Sequence, residues 1–170
     1  TMVAHTIDAL LDRNAAVDPG EVEDVTVGIG DHVGEQGGNM ARLAVVLSKL
    51  PITTAATTIN RFCSSGIQSV AFEANQIASG QTEVAMAGGV ESISMRARQT
   101  APEYEMNPRL LKEKPDIFMA MGNTAEVVAR RYNVSRETQD KYALQSQSRY
   151  AHAAKQGWIA DEIVPMTVTM

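Results

Sequence analysis

The run Thr58-Ile59-Asn60-Arg61-Phe62-Cys63-Ser64-Ser65-Gly66 holds the only cysteine of the chain, placed where a short extended stretch gives way to a helical one. A thiol at such a junction faces free backbone N–H groups and the positive end of the helix dipole. Both favour thiolate over thiol and can hold a developing oxyanion. Cys63 is therefore the candidate nucleophile. Most free cysteines are inert small hydrophobes buried in packing, and three features set this one apart. Ala55 to Ile59 are β-prone and apolar on alternate positions, so they read as a buried strand. Ser64, Ser65 and Gly66 are small and polar, which lets backbone pass close to a ligand and offers helix-capping hydroxyls. Ile67, Val70, Ala71, Ala74, Ile77 and Ala78 then recur at the spacing of an amphipathic helix until Gly80 ends the run. Strand, tight turn with thiol, and helix make the same device as the serine elbow of hydrolases.

The elements that must position this turn alternate along the chain. Val3, Ile7, Leu10 and Leu11 share one face of a helix over residues 3–16 that stops at Asp18-Pro19-Gly20. Val22 to Ile29 reads as a strand, and a glycine-rich stretch from Gly28 to Gly38 leads to a helix from Asn39 to about Lys49, closed by Pro51. Gly34-Glu35-Gln36-Gly37-Gly38 lacks the Lys-Ser/Thr of a P-loop and the spacing of a dinucleotide fingerprint, so it reads as a connection. Glu83 to Val90 is a strand of small residues ending in a glycine pair that lets the chain turn near whatever Cys63 acts upon. The order is that of an α/β protein with parallel strands. From about Ser94 to 118 the chain is charged and irregular; helices resume from Met121 and from Ser135, an N-cap, to Gln156 with Gly157 beyond. Residues 1–94 are thus expected to form a core, 95–160 an inserted helical subdomain, and 161–170 a returning core strand through Val164 to Val168.

With 170 residues, 44% of them hydrophobic, the chain can bury one good core, and its net charge of −5 gives no encouragement to nucleic-acid binding. No apolar run approaches membrane-spanning length, no leader pattern opens the chain, and no metal-ligand set stands out. A lone cysteine excludes an internal disulfide and suits a reducing compartment, the cytoplasm or an organellar matrix. Thr1 opens directly in a helix and the final strand has nothing after it to pair with, so the chain is expected to be a fragment that exposes a large apolar surface.

Six ordered motifs cover most of the chain: Asn39-Met40-Ala41-Arg42, Thr58-x-Asn60-x-x-Cys63-x-Ser65-Gly66, Ala87-Gly88-Gly89-x-Glu91-Ser92, Met121-Gly122-x-Thr124-Ala125-Glu126, Ser135-Arg136-Glu137-x-Gln139-Asp140 and Asp161-Glu162-Ile163-Val164-Pro165. Together they resemble the N-terminal part of a thiolase, the family that makes and cleaves 3-ketoacyl-CoA thioesters. The resemblance implies a layered α/β/α/β/α fold of two similar halves, of which this chain supplies the first, with a loop domain matching roughly 95–160. It implies that the residue at the position of Cys63 becomes acylated and passes the acyl group to coenzyme A or to the enolate of acetyl-CoA. The backbone N–H of that cysteine then lies in an oxyanion hole. It also implies acyl-CoA and coenzyme A as substrates, no covalently bound cofactor, and a homodimer or homotetramer.

The same likeness shows what is not in this stretch. Thiolases carry a histidine in Gly-His-Pro, an Asn-Glu-Ala-Phe motif and a second, acid–base cysteine in the C-terminal half; none occurs here, and this stretch alone is expected to be inactive. His5, His32 and His152 read as solvated or structural. Cys63-Ser64-Ser65-Gly66, Met40-Ala41-Arg42 and Ala120 before Met121-Gly122 resemble degradative 3-ketoacyl-CoA thiolases. Acetoacetyl-CoA-forming enzymes commonly show Gly-Ser-Gly, Asn-Pro-Ala-Arg and a histidine at those places. Met119 and Met121 are adaptable apolar side chains that suit an acyl or pantetheine channel. Alternatives are the acetoacetyl-CoA-forming acetyltransferase, a non-catalytic thiolase-like subunit, which would not need an elbow thiol, and a ketoacyl synthase, whose fold is shared but whose motifs differ.

Overall fold

The computed structural model describes residues 1–96 and 106–168. The chain divides into two compact units, Thr1–Ala101 with Met166–Met170, and Pro102–Pro165.

In the first unit the order is α1 (Met2–Arg13), β1 (Val22–Gly28), α2 (Met40–Leu47), β2 (Ala55–Ile59), α3 (Ser65–Ala78), β3 (Val84–Gly89) and α4 (Ile93–Arg96). The expected boundaries rest on local chemistry. Asp18 accepts from the Gly20 N–H at 2.8 Å while Glu21 accepts from the Asp18 N–H at 3.2 Å, a reciprocal cap on the turn into β1. Asn39 caps α2 by accepting from the Arg42 N–H at 3.1 Å, and Gly80 leaves α3 with φ at +73°.

The three strands form a parallel sheet in the order β2-β1-β3, with Gly28 opposite both Ile59 and Gly89, so all three end at one level. The β1-α2-β2 connection steps from the central strand to one edge, and β2-α3-β3 steps back across it to the other. Right-handed crossovers then put α2 and α3 on opposite faces, α2 over β1 and β2, α3 over β1 and β3. The core lies on the α1/α2 face, where Ile7, Leu11, Val25, Val27, Ile29 and Val45 are buried together.

Two expectations are corrected here. β2 is not a buried strand: among the described residues it is an edge strand paired with β1 alone, and its residues are exposed or half-buried. On α3 the buried positions are Ser65, Ser69 and Glu73, whereas Ile67, Val70 and Ile77 face solvent. Small and polar side chains let this helix come close to the sheet. An ideal Cβ on Gly28 would lie 2.3 Å from the Ser65 carbonyl carbon, and one on Gly89 3.3 Å from the Gly66 Cα. The Ser69 hydroxyl, fully buried, sits 2.6 Å from the Gly66 carbonyl and 2.7 Å from that of Gly88, tying helix to strand.

The second unit contains α5 (Pro108–Glu113), α6 (Met121–Arg131) and α7 (Arg136–Lys155). Asn107 caps α5, and Ser135 caps α7 by accepting from the Thr138 N–H at 3.2 Å. Asn133, with φ at +51°, turns the chain between α6 and α7. None of these three helices buries a residue, and Tyr142, Ser146 and Tyr150 on α7 are exposed. Ion pairs such as Arg136–Asp140 at 2.9 Å and Lys141–Glu137 at 2.8 Å lie on solvated surface, where screening leaves them little stabilising effect.

The strand expected through Val164 to Val168 does not form: after a single turn at Ala160–Glu162, residues 163–168 belong to no strand. A strand needs a ladder partner, and β1 is already paired on both sides. Only the outer edges of β2 and β3 were open to it, and it pairs with neither among the described residues. Part of the charged stretch before 118 lies outside the described residues; its start at Ser94 falls within α4, and Pro108 to Phe118 forms α5 and a single helical turn.

Candidate active site

Parallel strands that end at one level gather their following loops at one edge, where ligands of α/β sheets bind. Here that edge carries residues 29–39 after β1, 60–64 after β2 and 90–92 after β3. The Asn39-Met40-Ala41-Arg42 motif fastens the first loop to β2. Asn39 Nδ2 donates to the Ala56 carbonyl at 3.0 Å, Thr58 Oγ1 donates to Asn39 Oδ1 and accepts from the Ala41 N–H, each at 3.0 Å, and the Arg42 guanidinium donates to the carbonyls of Thr54 and Ile52 at 2.6 and 2.7 Å. These charge-assisted and amide bonds are structural: the motif builds the floor under the turn.

Cys63 lies in that turn, exposed, two residues ahead of α3. Its thiol makes no side-chain hydrogen bond among the described residues. The turn spends its own polar groups inward. The N–H groups of Ser64 and Ser65 donate to the carbonyls of Arg61 and Phe62 at 3.1 and 2.9 Å, and the Ser65 hydroxyl donates to the Phe62 carbonyl at 2.6 Å while accepting from the Arg61 N–H at 2.8 Å. None of these bonds uses the N–H of Cys63. Ser64, expected as a helix-capping hydroxyl, makes no cap, so the first-turn amides of α3 are left without a side-chain acceptor. Arg61 Nη1 is turned aside onto Gln68 Oε1.

The residue before the thiol is the strained one. Phe62 has φ at +47°, in the left-handed region, which costs a non-glycine residue about 1–2 kcal/mol. Phe62 is 71% exposed, so side-chain packing does not hold it there. Its N–H donates to Asn60 Oδ1 at 2.7 Å, and Asn60 Nδ2 donates to the Gly30 carbonyl at 3.0 Å. The Gly30 N–H donates in turn to Glu91 Oε2 at 2.7 Å. Buried Gln36 completes the network: its Nε2 donates to Glu91 Oε1 at 2.5 Å and to the Asp31 carbonyl at 2.6 Å, and its Oε1 accepts from the Ser92 N–H at 2.7 Å. Sequence reasoning placed Asn60 and Glu91 in motifs without giving them a task. The signal for Asn60 was its spacing, since an Asn side chain that accepts from the N–H two residues on is a common turn device.

Beneath the turn, on α3, Glu73 is 3% exposed and accepts from Thr26 Oγ1 and, at 3.0 Å, from Gln76 Nε2. Burial pushes its carboxyl above the usual carboxylate range; the Thr26 hydrogen bond opposes this and the nearby Asp24 charge adds to it.

The other candidates lie elsewhere. Met121 opens α6, strongly exposed, and Met119 ends the turn at Pro115–Phe118, half-buried; both belong to the second unit. His5 lies on α1, and His152 on α7 meets Trp158 edge to face at 5.4 Å. His32 follows β1, its Nε2 buried without a hydrogen-bond partner among the described residues. None of the three bonds Cys63 there. Among the described residues no group of three or more His, Cys, Asp or Glu could hold a metal ion, and no helix is long and apolar enough to cross a membrane.

Residues 1–170 match the family model of the thiolase N-terminal domain. The chain is 44% identical over 154 residues to a 3-ketoacyl-CoA thiolase of Bacillus subtilis (strain 168), covering 89% of this chain and 38% of that protein. It is 37% identical over 162 residues to a 3-ketoacyl-CoA thiolase of Pectobacterium carotovorum, covering 95% and 41%. With a β-ketoadipyl-CoA thiolase of Pseudomonas aeruginosa it shares 36% identity over 183 residues, covering 98% and 45%. The chain thus spans less than half the length of these curated relatives. With the α/β sheet, the elbow and a match over residues 1–170 in agreement, this chain belongs to the thiolase family and corresponds to its N-terminal domain.

Proposed function

We propose that this chain supplies the nucleophile half of a thiolase that cleaves 3-ketoacyl-CoA into acetyl-CoA and a shortened acyl-CoA. In this reading the Cys63 thiolate attacks the 3-keto carbon, and the N–H of Cys63 donates to the oxyanion that forms. The bond between C2 and C3 then breaks; acetyl-CoA leaves as its enolate and takes a proton, and the acyl group stays on sulfur as a thioester. Attack by the thiol of coenzyme A releases the shortened acyl-CoA and restores Cys63. Only the 3-ketoacyl-CoA and coenzyme A are consumed and two thioesters are formed, with no net oxidation or reduction, so no prosthetic group is required. The base and the second acid–base thiol belong, on the family likeness, to the C-terminal half.

The observation that carries this reading is the exposed thiol of Cys63 in an uncapped turn at the carboxyl edge of a parallel sheet. The degradative direction is supported by Cys63-Ser64-Ser65-Gly66, by Ala120, and by the names of the relatives. Met119 and Met121 are proposed to line the acyl or pantetheine channel, with a cytoplasmic homodimer or homotetramer as the working assembly.

A second reading is favoured by the likeness to β-ketoadipyl-CoA thiolases: the 3-ketoacyl chain ends in a carboxylate. One experiment addresses both. The full-length enzyme, treated briefly with acetoacetyl-CoA and analysed by intact mass and peptide mapping, should carry one acetyl group on Cys63. The Cys63→Ala variant should carry none and lose turnover by a factor on the order of 10⁴ or more, with its fold intact. Near-normal turnover of that variant rejects the assignment. The ratio of kcat/KM for an alkyl and a carboxylate-ended 3-ketoacyl-CoA then chooses between the two substrates.

A further inference from the structure

We propose that Asn60 is a positioning residue for Cys63, acting through the backbone of Phe62, and that Glu91 holds the peptide of Gly30 against which Asn60 is braced. This rests on the reading of Cys63 as the nucleophile and adds to it.

Phe62 directly precedes Cys63, so its backbone angles decide where the sulfur and the N–H of Cys63 point. A left-handed phenylalanine relaxes unless something holds it. Its exposed side chain does not, and among the described residues its carbonyl is held from within the turn alone, by Ser65. The tie from Phe62 to the rest of the sheet edge is its N–H bond to Asn60 Oδ1 at 2.7 Å. Asn60 is itself exposed and would be a loose tether but for its second bond, from Nδ2 to the Gly30 carbonyl at 3.0 Å. The Gly30 peptide is fixed from its other end by Glu91 Oε2 at 2.7 Å, and Glu91 by Gln36, which is buried.

A side chain on Gly30 would have to push the Glu91 carboxylate aside. An ideal Cβ there would lie 2.7 Å from Glu91 Oε2 and 3.6 Å from both the carbonyl carbon and oxygen of Phe62. The loops after all three strands thus close on the residue that aims the thiol: Gly30 after β1, Asn60 after β2, Glu91 after β3. Because Asn60 and Glu91 are exposed, they add little to the core, and a change at either reads out on the thiol rather than on folding.

The test uses the full-length enzyme with Asn60→Ala, Asn60→Asp and Glu91→Gln. Three quantities are measured: the rate of Cys63 alkylation by iodoacetamide across pH, kcat and KM for thiolysis of acetoacetyl-CoA, and the thermal midpoint. Asn60→Ala should lower kcat by roughly ten- to a hundredfold with KM within about twofold, and should slow alkylation over the whole pH range. Asn60→Asp keeps the acceptor for the Phe62 N–H and loses the donor to Gly30, so it should fall between Asn60→Ala and the unaltered enzyme. Glu91→Gln leaves one acceptor oxygen for two donors, the Gly30 N–H and Gln36 Nε2, and should lower kcat in the same direction as Asn60→Ala but by less. Wild-type kcat and alkylation in the Asn60 variants, with or without a lowered midpoint, overturn the inference. So does failure of both Asn60 variants to fold, which would make the residue a folding determinant. If the unaltered enzyme forms no acyl adduct on Cys63, the nucleophile reading fails and takes this with it; an adduct formed at the unaltered rate by Asn60→Ala defeats the positioning role alone.

Discussion

The two faces of the three-stranded sheet are made of opposite kinds of residue. Toward α1 and α2, β1 presents Val25 and Val27, followed by Ile29 just past its end, buried against Ile7, Leu11 and Val45. Toward α3 it presents Thr26 and Gly28, and what comes down on them is Ser65, Ser69 and Glu73. Burying apolar surface is worth about 25 cal/mol per Å² and asks little about direction. Buried hydroxyls and carboxyls contribute modestly when satisfied, but they fix orientation, because each bond has a preferred distance and angle. The α1/α2 face therefore holds the unit together, and the α3 face sets the height and angle of the helix that follows Cys63.

Neighbouring residues on β1 give the strongest way to break that contrast. Val27→Ala opens a cavity on the core face and should cost about 2 kcal/mol of stability, while the alkylation rate of Cys63 in the folded fraction stays within about twofold. Gly28→Ala adds one methyl on the other face, where its carbon would meet the Ser65 carbonyl carbon at 2.3 Å. Backbone cannot rotate away as a side chain can, so α3 must lift, at a cost of about 1–3 kcal/mol. Acyl transfer should fall with it, and calorimetry beside alkylation kinetics separates the two losses. Equal effects of the two substitutions on the thiol would mean that the faces do not divide the work.

How much of this could be read from the chain follows from the range of each interaction. Strand and helix limits were legible because Asp18-Pro19-Gly20, Asn39, Pro51 and Gly80 act locally through caps and allowed angles. The elbow was legible for the same reason. The orientation of α3 was not: hydrophobic period identifies an apolar face, here Ile67, Val70 and Ile77, but not the surface that face meets. Its other face, Ser65, Ser69 and Glu73 at every fourth position, fits a sheet floored with glycine, a fact visible only when Gly28 and Gly89 are seen side by side. The Gly30–Glu91 bond spans sixty-one residues, beyond any local rule. Val164 to Val168 alternates as a strand would, yet alternation supplies no ladder partner.

Ser69 sharpens the comparison on a smaller scale. Its hydroxyl is fully buried between the carbonyls of Gly66 and Gly88. Ser69→Ala removes one methylene-sized oxygen without leaving a large void, so the expected loss, about 1–2 kcal/mol, is that of a buried carbonyl deprived of its donor. Chemical denaturation should show a lower midpoint with an unchanged slope. A loss below about 0.3 kcal/mol would mean that water or Gly88 itself relaxes to repair the contact.

The smallest expected effect is set by pH. The Glu73 carboxyl is raised above its unfolded value because burial disfavours its charge more than Thr26 and Gln76 stabilise it. Below the unfolded pKa of about 4.3 both states are protonated at this site and it adds no pH dependence. Between that value and the raised folded one, the folded state binds more protons than the unfolded state, so stability declines as pH rises and levels off once the folded group has ionised. Glu73→Gln keeps an oxygen for the Thr26 hydroxyl and has no charge to bury. It should remove this decline and leave the variant at least as stable as the parent at neutral pH, while at pH 4 the two should agree to within about 0.5 kcal/mol. Urea titrations at a series of pH values give the comparison directly. A parent whose stability rises through that window relative to the variant would mean that Glu73 is held more firmly as a carboxylate than as an acid, and that the polar face of the sheet stabilises charge as well as direction.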